Sequence, residues 1–488
     1  MASVGDCGSP DSGSNPGPGI FKSLEENKMA RESKKFDELR GFRTLYPSDL
    51  LIYKYIQDKL EGVIKNWGYF PIEPPALEYG EALMAKGGLS PEQARELFIF
   101  KDHDDRWIGL RFDLTTPIAR IVGYNYESFV TKMPIRWYYF SKMWRYENDP
   151  KKGRYREFWQ FGIELIGSLS PMADAETIAI AIKQLSALGF SPEKVKIFVS
   201  HRELLWGIIS KFTDDEEKIM EIIRLIDKKE KLKNYEITGR VHDLLNNVEL
   251  ESLIEELLDL KPAPFEEIYS KYFLKIEKLN EKTRNAVENL KNTFTYLDML
   301  LNEEEKKFLL IDPSIARGFD YYTGIIYEVY IYSGYKRQGG SILGGGRYDN
   351  LIDLYGGLHT PSIGFALGVD RCVEALREIG INDELKSIRV VQDVHIILDI
   401  KDKELLEEGI KILETLRKKN ISATITLNSY SSWRKMLKNE LEYADANGVP
   451  FTIIIDENVK KGNVILKNMK NRLQELVEIK SLIELIRG

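Results

Sequence analysis

Cysteine is nearly absent: 488 residues contain two, Cys7 and Cys372, far apart and in no metal or redox spacing. A disulfide framework and a thiolate metal site are thereby excluded, and a reducing compartment is the natural reading. Long apolar runs are missing too, since none nears the ~18 residues that a membrane span needs. The N-terminus lacks a basic-then-apolar signal pattern, so a cytoplasmic protein off the membrane is expected. Positive charge is not in excess either. The 69 Lys and Arg against 76 Asp and Glu give a net charge of −7. That excludes a uniformly basic nucleic-acid coat but not local basic patches, which whole-chain charge averages away. No internal repeat, phosphate-binding P-loop or dinucleotide fingerprint is found.

What is present divides the chain by composition. Residues 1–35 read as a disordered leader. Met1 to Gly19 is Gly, Ser, Pro and Asp with little to bury, and a start at Met29 stays open. From 36 to 205, Leu51, Ile52, Tyr55, Ile56, Leu60, Val63 and Ile64 recur at helical spacing, with Ser48 or Asp49 as cap and Gly68 as stop. Strand-like runs follow at Leu97–Lys101, Trp107–Phe112, Ile135–Glu147 and Glu157–Gly167, then a helix from Ala173 to Gly189. Strands after strands predict an antiparallel sheet of the α+β kind.

Residues 206–308 are Lys, Glu, Leu and Ile in helical rhythm and read as an inserted helical subdomain. It either packs on the main body or touches a nucleic-acid partner. Strand character returns over 309–385, with a glycine-rich turn at Gly339–Arg347. After the charged linker 382–389, strands and helices alternate over 390–488, which predicts a separate α/β domain with a largely parallel sheet.

Five segments place polar residues in apolar, strand-forming contexts. In LRFDLTTPIAR, Asp113 and Thr115 fall on one face if the strand is extended, a face suited to a ligand ammonium. In WRYENDPKKGRYREFWQFGIELIG, two strands flank a basic loop with Arg145, Arg154 and Arg156. Phe158, Gln160, Gly162 and Glu164 share one parity there. Buried glutamine and glutamate are costly without hydrogen-bond partners, and the arginines suit phosphate or carboxylate. IARGFDYYTGIIYE crowds Arg317, Asp320, Tyr321 and Tyr322 together. SILGGGRYDNL has three glycines that let a ligand or backbone come close. GFALGVDRCVEAL leads into a helix with Arg371 near its start. Each residue alone has an ordinary structural use. Together they imply a polyanionic substrate beside a small hydrogen-bonding ligand.

These segments resemble a known family. The hairpin is similar to motif 2 of class II aminoacyl-tRNA synthetases, GFALGVDR to motif 3, and the stretch up to Pro75 to motif 1. ARGFDYYTGIIYE and LGGGRYDNLI resemble the two histidine signatures of histidyl-tRNA synthetases, and RFDLT is closest to the archaeal and eukaryotic branch. The resemblance implies a class II antiparallel sheet flanked by helices, a helical insertion and a C-terminal anticodon-binding domain. It implies activation of L-histidine with ATP and Mg²⁺ bound with the nucleotide, no metal held by the protein alone, transfer to histidine tRNA, and a homodimer built through motif 1.

By the same resemblance, Arg145 and Glu147 bind ATP, with Arg145 at the α-phosphate, Arg371 at the γ-phosphate and Phe158 on adenine. Arg317, with Arg145 the other residue implied to be catalytic, meets the histidine carboxylate and α-phosphate. Asp113, Thr115 and Gln160 hold the amino group, Glu164 and Tyr322 the imidazole, and Tyr321 and Tyr348 complete the pocket. The helix Ser432–Asn447, with Arg434, Lys435, Lys438 and Tyr443, is the expected RNA face. Two alternatives keep the fold and discard the catalysis: a histidine-sensing regulatory subunit of ATP phosphoribosyltransferase, and a kinase-fused regulatory module. The retained arginines and the extra domain argue against the first, and the lack of a kinase segment against the second.

Overall fold

The computed structural model describes residues 37–85, 95–229, 232–315, 321–333, 336–379 and 392–487. The expected leader over 1–35, Arg317, Asp320 and the linker 382–389 lie outside the described residues. The chain divides into two compact units, Met1–Leu385 and Lys386–Gly488.

In the first unit the early apolar periodicity forms the helix Pro47–Ile64, burying Tyr53, Ile56, Leu60 and Ile64. It begins ahead of the expected cap at Ser48 or Asp49. Pro47 is the first helical residue and Tyr46 flanks it, because proline at that position loses no intrahelical bond and has its φ preset. Gly68, at φ +74°, stops the chain after a short 3₁₀ turn.

Eleven strands follow among the described residues: β1 Phe70–Pro71, β2 Leu77–Tyr79, β3 Ile99–Lys101, β4 Trp107–Leu110, β5 Ile135–Trp144, β6 Glu157–Ile166, β7 Val195–His201, β8 Leu309–Ile311, β9 Ile325–Ser333, β10 Lys336–Arg347 and β11 Ser362–Gly368. Eight of them form one sheet in the order β1-β5-β6-β11-β10-β9-β7-β8. The inner pairs from β5 to β7 are antiparallel, and only the two edge pairs are parallel. The sheet is thus the α+β type expected, with β2-β4-β3 as a small satellite.

Two local expectations change. Gly339–Arg347 is no turn but the body of β10, paired with β9 on one side and β11 on the other. The glycines allow that close packing: a Cβ on Gly345 would stand 2.6 Å from both Phe365 Cβ and the Tyr327 ring. Asp113 and Thr115 do not share a strand. β4 ends at Leu110, and Thr115 opens the helix Thr115–Tyr124, with Pro117 tolerated in its first turn.

Between β7 and β8 the expected insertion runs as helices, among them Arg202–Ser210, Glu216–Asp227, Val248–Asp259 and Glu281–Leu300. Their apolar stripes do not make a separate core. Ile219, Ile222, Leu253 and Leu290 belong to the same buried cluster as Ile178, Ile182 and Val199 of the main body.

The second unit has strands β12 Val394–Ile397, β13 Ala423–Ile425, β14 Phe451–Ile454, β15 Asn463–Asn468 and β16 Gln474–Glu478, in the order β13-β12-β14-β15-β16. The first three are parallel, as expected from the alternation with helices. The last two are antiparallel additions that polar, Lys- and Asn-rich sequence concealed. Helices Lys403–Lys418 and Trp433–Ala446 cover the sheet. No helix among the described residues is long and apolar enough to cross a membrane.

Candidate active site

A cavity of about 600 Å³ opens over the middle of the large sheet. Its position follows from the hairpin. β5 carries Arg145 just past its end, and β6 turns Phe158 and Gln160 toward the opening. The helix Val369–Ile379 brings Arg371 in from the next strand over. Arg145, Glu147, Arg154, Phe158, Gln160, Tyr322 and Arg371 all line the cavity.

Arg145 donates from Nε to the Phe112 carbonyl at 3.1 Å, and its guanidinium lies 5.3 Å from the Phe158 ring centroid. Arg154 reaches to within 3.9 Å of Glu147. Arg371 donates to the Ser341 carbonyl at 2.6 Å. Burial, then the neighbouring charges of Arg154 and Arg145, pull its pKa down to about 10. Three like charges gathered in a half-buried cavity raise one another's free energy, and a polyanion relieves that.

Beside the cavity lies a closed polar cluster. Glu164 is fully buried on β6. Thr115 donates to its Oε1 at 2.7 Å and the Tyr348 hydroxyl to its Oε2. Burial still dominates and pushes its pKa up to about 8. Only glycine fits opposite: a Cβ on Gly364 would come 2.0 Å from Glu164 Oε2. Tyr321 packs edge-on against Tyr322 at 5.0 Å and Tyr348 at 6.0 Å. The Asp113 Oδ1 accepts the Thr116 amide at 3.1 Å, and burial raises its pKa to about 6. Asp113 Oδ2 and Gln160 Oε1 are buried with no hydrogen-bond partner. Unpartnered buried acceptors are costly, so this cluster is shaped for a donor-bearing ligand.

Comparison with known proteins gives the chain its family. A family model for histidyl-tRNA synthetase matches residues 41–372, and one for an anticodon binding domain matches 393–488. The histidine–tRNA ligase of Methanococcus maripaludis is 37% identical over 92% of this chain and 99% of its own length. This chain belongs to the histidyl-tRNA synthetase family. The histidine–tRNA ligase of Thermococcus kodakarensis is 33% identical over 92% of this chain and 98% of its own. Among solved structures, a histidyl-tRNA synthetase from Nostoc sp. PCC 7120 superposes with a TM-score of 0.75 at 24% identity, covering 93% of this chain and 99% of that one. An ATP phosphoribosyltransferase regulatory subunit/histidyl-tRNA synthetase from Bacillus halodurans gives 0.68 at 24% identity, over 83% of this chain and 96% of that one. The structural likenesses speak to the synthetase fold alone.

Sequence reasoning missed three parts of this synthetase site. Asp370, between the motif 3 glycine and Arg371, accepts from Tyr53 at 2.6 Å and from the Trp159 amide at 2.7 Å, and pairs with Arg43. It thereby ties the first helix, β6 and the Arg371 helix together. Arg347, next to Tyr348, binds the buried Asp174 and donates to the Ser168 carbonyl at 2.8 Å, holding the second histidine signature in place. The insertion also forms a cavity wall. Met220, Ile223, Arg224 and Asp227, on one face of the helix Glu216–Asp227, line it with Arg202. Their spacing was visible as an amphipathic stripe, but nothing in it distinguished packing from a wall.

Proposed function

We propose that this cavity activates L-histidine with ATP, forming histidyl-adenylate and pyrophosphate, before histidine passes to the 3′ end of histidine tRNA. The chain is, as a family member, an aminoacyl-tRNA synthetase, a histidine–tRNA ligase. The observation that carries the site reading is the meeting of two unlike environments. A cluster of arginines faces buried acceptors that lack partners.

In this reading Arg145 and Arg371 hold the triphosphate bent, with Phe158 against adenine and Glu147 on the wall. Magnesium comes with the nucleotide in this reading. Glu147 and Glu328 are among the wall carboxylates, which supply oxygen of the type that magnesium would take. Asp113, Thr115 and Gln160 take the ammonium, Glu164 and Tyr322 the imidazole, and Tyr321 and Tyr348 shape the pocket. Arg317 is assigned to the carboxylate and α-phosphate by motif alone. No side chain need act as nucleophile, because the histidine carboxylate attacks and the site contributes orientation and charge. A polar ring that satisfies buried groups is discriminated from apolar side chains by roughly 10⁴ or more.

We further assign histidine tRNA to the second unit, through exposed Trp433, Arg434, Lys435, Lys438 and Tyr443, a surface of bases' stacking partners and phosphate contacts. A homodimer is favoured by the β2-β4-β3 sheet. Leu77, Tyr79 and Phe100 are 44%, 56% and 44% exposed on one face of it, an apolar patch of the kind that a partner subunit covers. A cytoplasmic location fits the same reading.

The test is pyrophosphate exchange with ATP and Mg²⁺ and each of the twenty amino acids, followed by charging of tRNA transcripts. Exchange with histidine alone, and charging of histidine tRNA alone, is expected. Histidine binding without exchange would favour the regulatory reading instead.

A further inference from the structure

Tyr139 has no part in the motifs above, yet it is 1% exposed and its hydroxyl completes no hydrogen bond. Its place is fixed by the sheet register. Tyr139 on β5 pairs with Gly162 on β6, and paired residues in an antiparallel ladder project to the same face. Gly162 lies between Gln160 and Glu164 in the alternation of β6, so Tyr139 projects among those two. A Cβ on Gly162 would stand 2.3 Å from the Tyr139 hydroxyl. The glycine is what admits the phenol there.

The surroundings are ionisable. Beyond burial, Glu164, Asp113 and Tyr322 act on the Tyr139 phenol electrostatically, and the Thr115 hydroxyl lies beside it without completing a well-formed hydrogen bond. Four buried oxygens near this point complete no hydrogen bond: Asp113 Oδ2, Thr116 Oγ1, Tyr139 Oη and Gln160 Oε1. Thr116 lies against Asp113 itself. Thr115, assigned above to the ammonium, gives its hydroxyl proton to Glu164 and meets the ammonium only through its oxygen. Three oxygens remain without partners: a carboxylate, an amide carbonyl and a phenol. An ammonium group presents three N–H donors and no acceptor.

We propose that the Tyr139 hydroxyl is a histidine-binding group, a further oxygen around the substrate's α-ammonium beside Asp113, Thr115 and Gln160. This rests on the histidine reading given above. Tyr139 is then a specificity-determining residue that contacts the substrate's α-ammonium, and its orphaned state is the unliganded form of that contact.

The test is Tyr139→Phe, which keeps the ring and removes only the oxygen. Two probes are titrated into wild type and variant by calorimetry: histidinol, which carries the ammonium, and its deamino counterpart 3-(imidazol-4-yl)propan-1-ol. Wild type is expected to prefer histidinol, and the variant to lose roughly ten- to a hundred-fold of that preference, the worth of one hydrogen bond to a charged group. The thermal midpoint of the unliganded variant is expected to be unchanged or higher, because no hydrogen bond is lost. Equal weakening of both probes, or an unchanged preference, overturns the proposal. So does a lower unliganded midpoint with the preference intact, which would make Tyr139 structural. A wild type that binds neither probe and shows no exchange with histidine refutes the histidine reading itself.

Discussion

Asp113, Gln160 and Tyr139 in the first unit and His395, Glu440 and Tyr430 in the second are alike on paper: polar side chains set among apolar ones. In the second unit every one of them is engaged. His395 on β12 lies 2.8 Å from Thr424 Oγ1 through Nδ1 and 2.6 Å from Glu440 Oε2 through Nε2, and the Tyr430 hydroxyl donates to Glu440 Oε1 at 2.5 Å. That set joins two strands, a loop and the helix Trp433–Ala446. In the first unit the acceptors are left over. Burial without partners raises free energy unless something else repays it, so in the reading proposed above the open set receives substrate and the closed set is architecture. The difference predicts opposite outcomes when each is disturbed.

The largest effect is expected at the cavity arginines. Arg371→Gln should lower histidine-dependent pyrophosphate exchange by roughly 10²–10³-fold, the worth of one well-placed charged donor in a transition state. Because Arg371 sits buried beside Arg154 and Arg145, the same change should leave thermal stability unchanged or improved. A variant that loses stability in proportion to activity would erase the distinction between open and closed sites.

Glu440→Ala should do the reverse. Removing one partner from the closed set leaves His395 and Tyr430 without an acceptor and should destabilise the second unit by about 3 kcal/mol, read by urea unfolding followed at Trp433. Histidine-dependent exchange should stay at the wild-type rate. If exchange falls instead, the second unit acts on catalysis in a way that its closed polar set does not explain.

The smallest effect is expected where polarity is neither open nor closed but solvated. Lys438 and Glu442 form an i,i+4 pair at 3.8 Å with both side chains about two-thirds exposed. Replacing Glu442 with Gln should change stability by no more than about 0.5 kcal/mol, within the error of most unfolding experiments. A larger change would mean that exposed charge matters here as much as buried charge.

Much of this could be read from the chain before its coordinates. The hairpin announced itself because Phe158, Gln160 and Glu164 shared a parity that a half-buried strand cannot bear idly. The α+β sheet and the α/β second unit followed from the order of strand-like and helix-like runs. Three kinds of information stayed hidden. Asp113 and Thr115 were placed on a strand because local alternation does not register that Thr115 opens a helix with Pro117 in its first turn. β15 and β16, of which only β16 is an edge strand, escaped because short strands carrying Lys, Asn, Gln and Glu look like loops. Tyr139 and Asp370 escaped because their meaning lies in register and in contacts more than two hundred residues apart. Asp370 meets Trp159 and Tyr53 only once the sheet is built, and no spacing in the chain encodes that.

The open set itself is tested most directly through Asp113. Burial raises its pKa from 3.8 to about 6. Between those values the folded chain keeps a proton that the unfolded chain has lost, so stability falls as pH rises through the window, and the penalty is complete above about 6. Thermal or urea unfolding of wild type and Asp113→Asn, with and without histidine, at pH 4 and pH 7.5, is therefore the decisive measurement. Without histidine the variant should be more stable than wild type at pH 7.5, by up to about 3 kcal/mol, and equal to it near pH 4. With histidine, wild type should gain stability and the variant little. A variant that is less stable than wild type at pH 7.5 and still gains from histidine would contradict the account, because Asp113 would then be an ordinary structural acid.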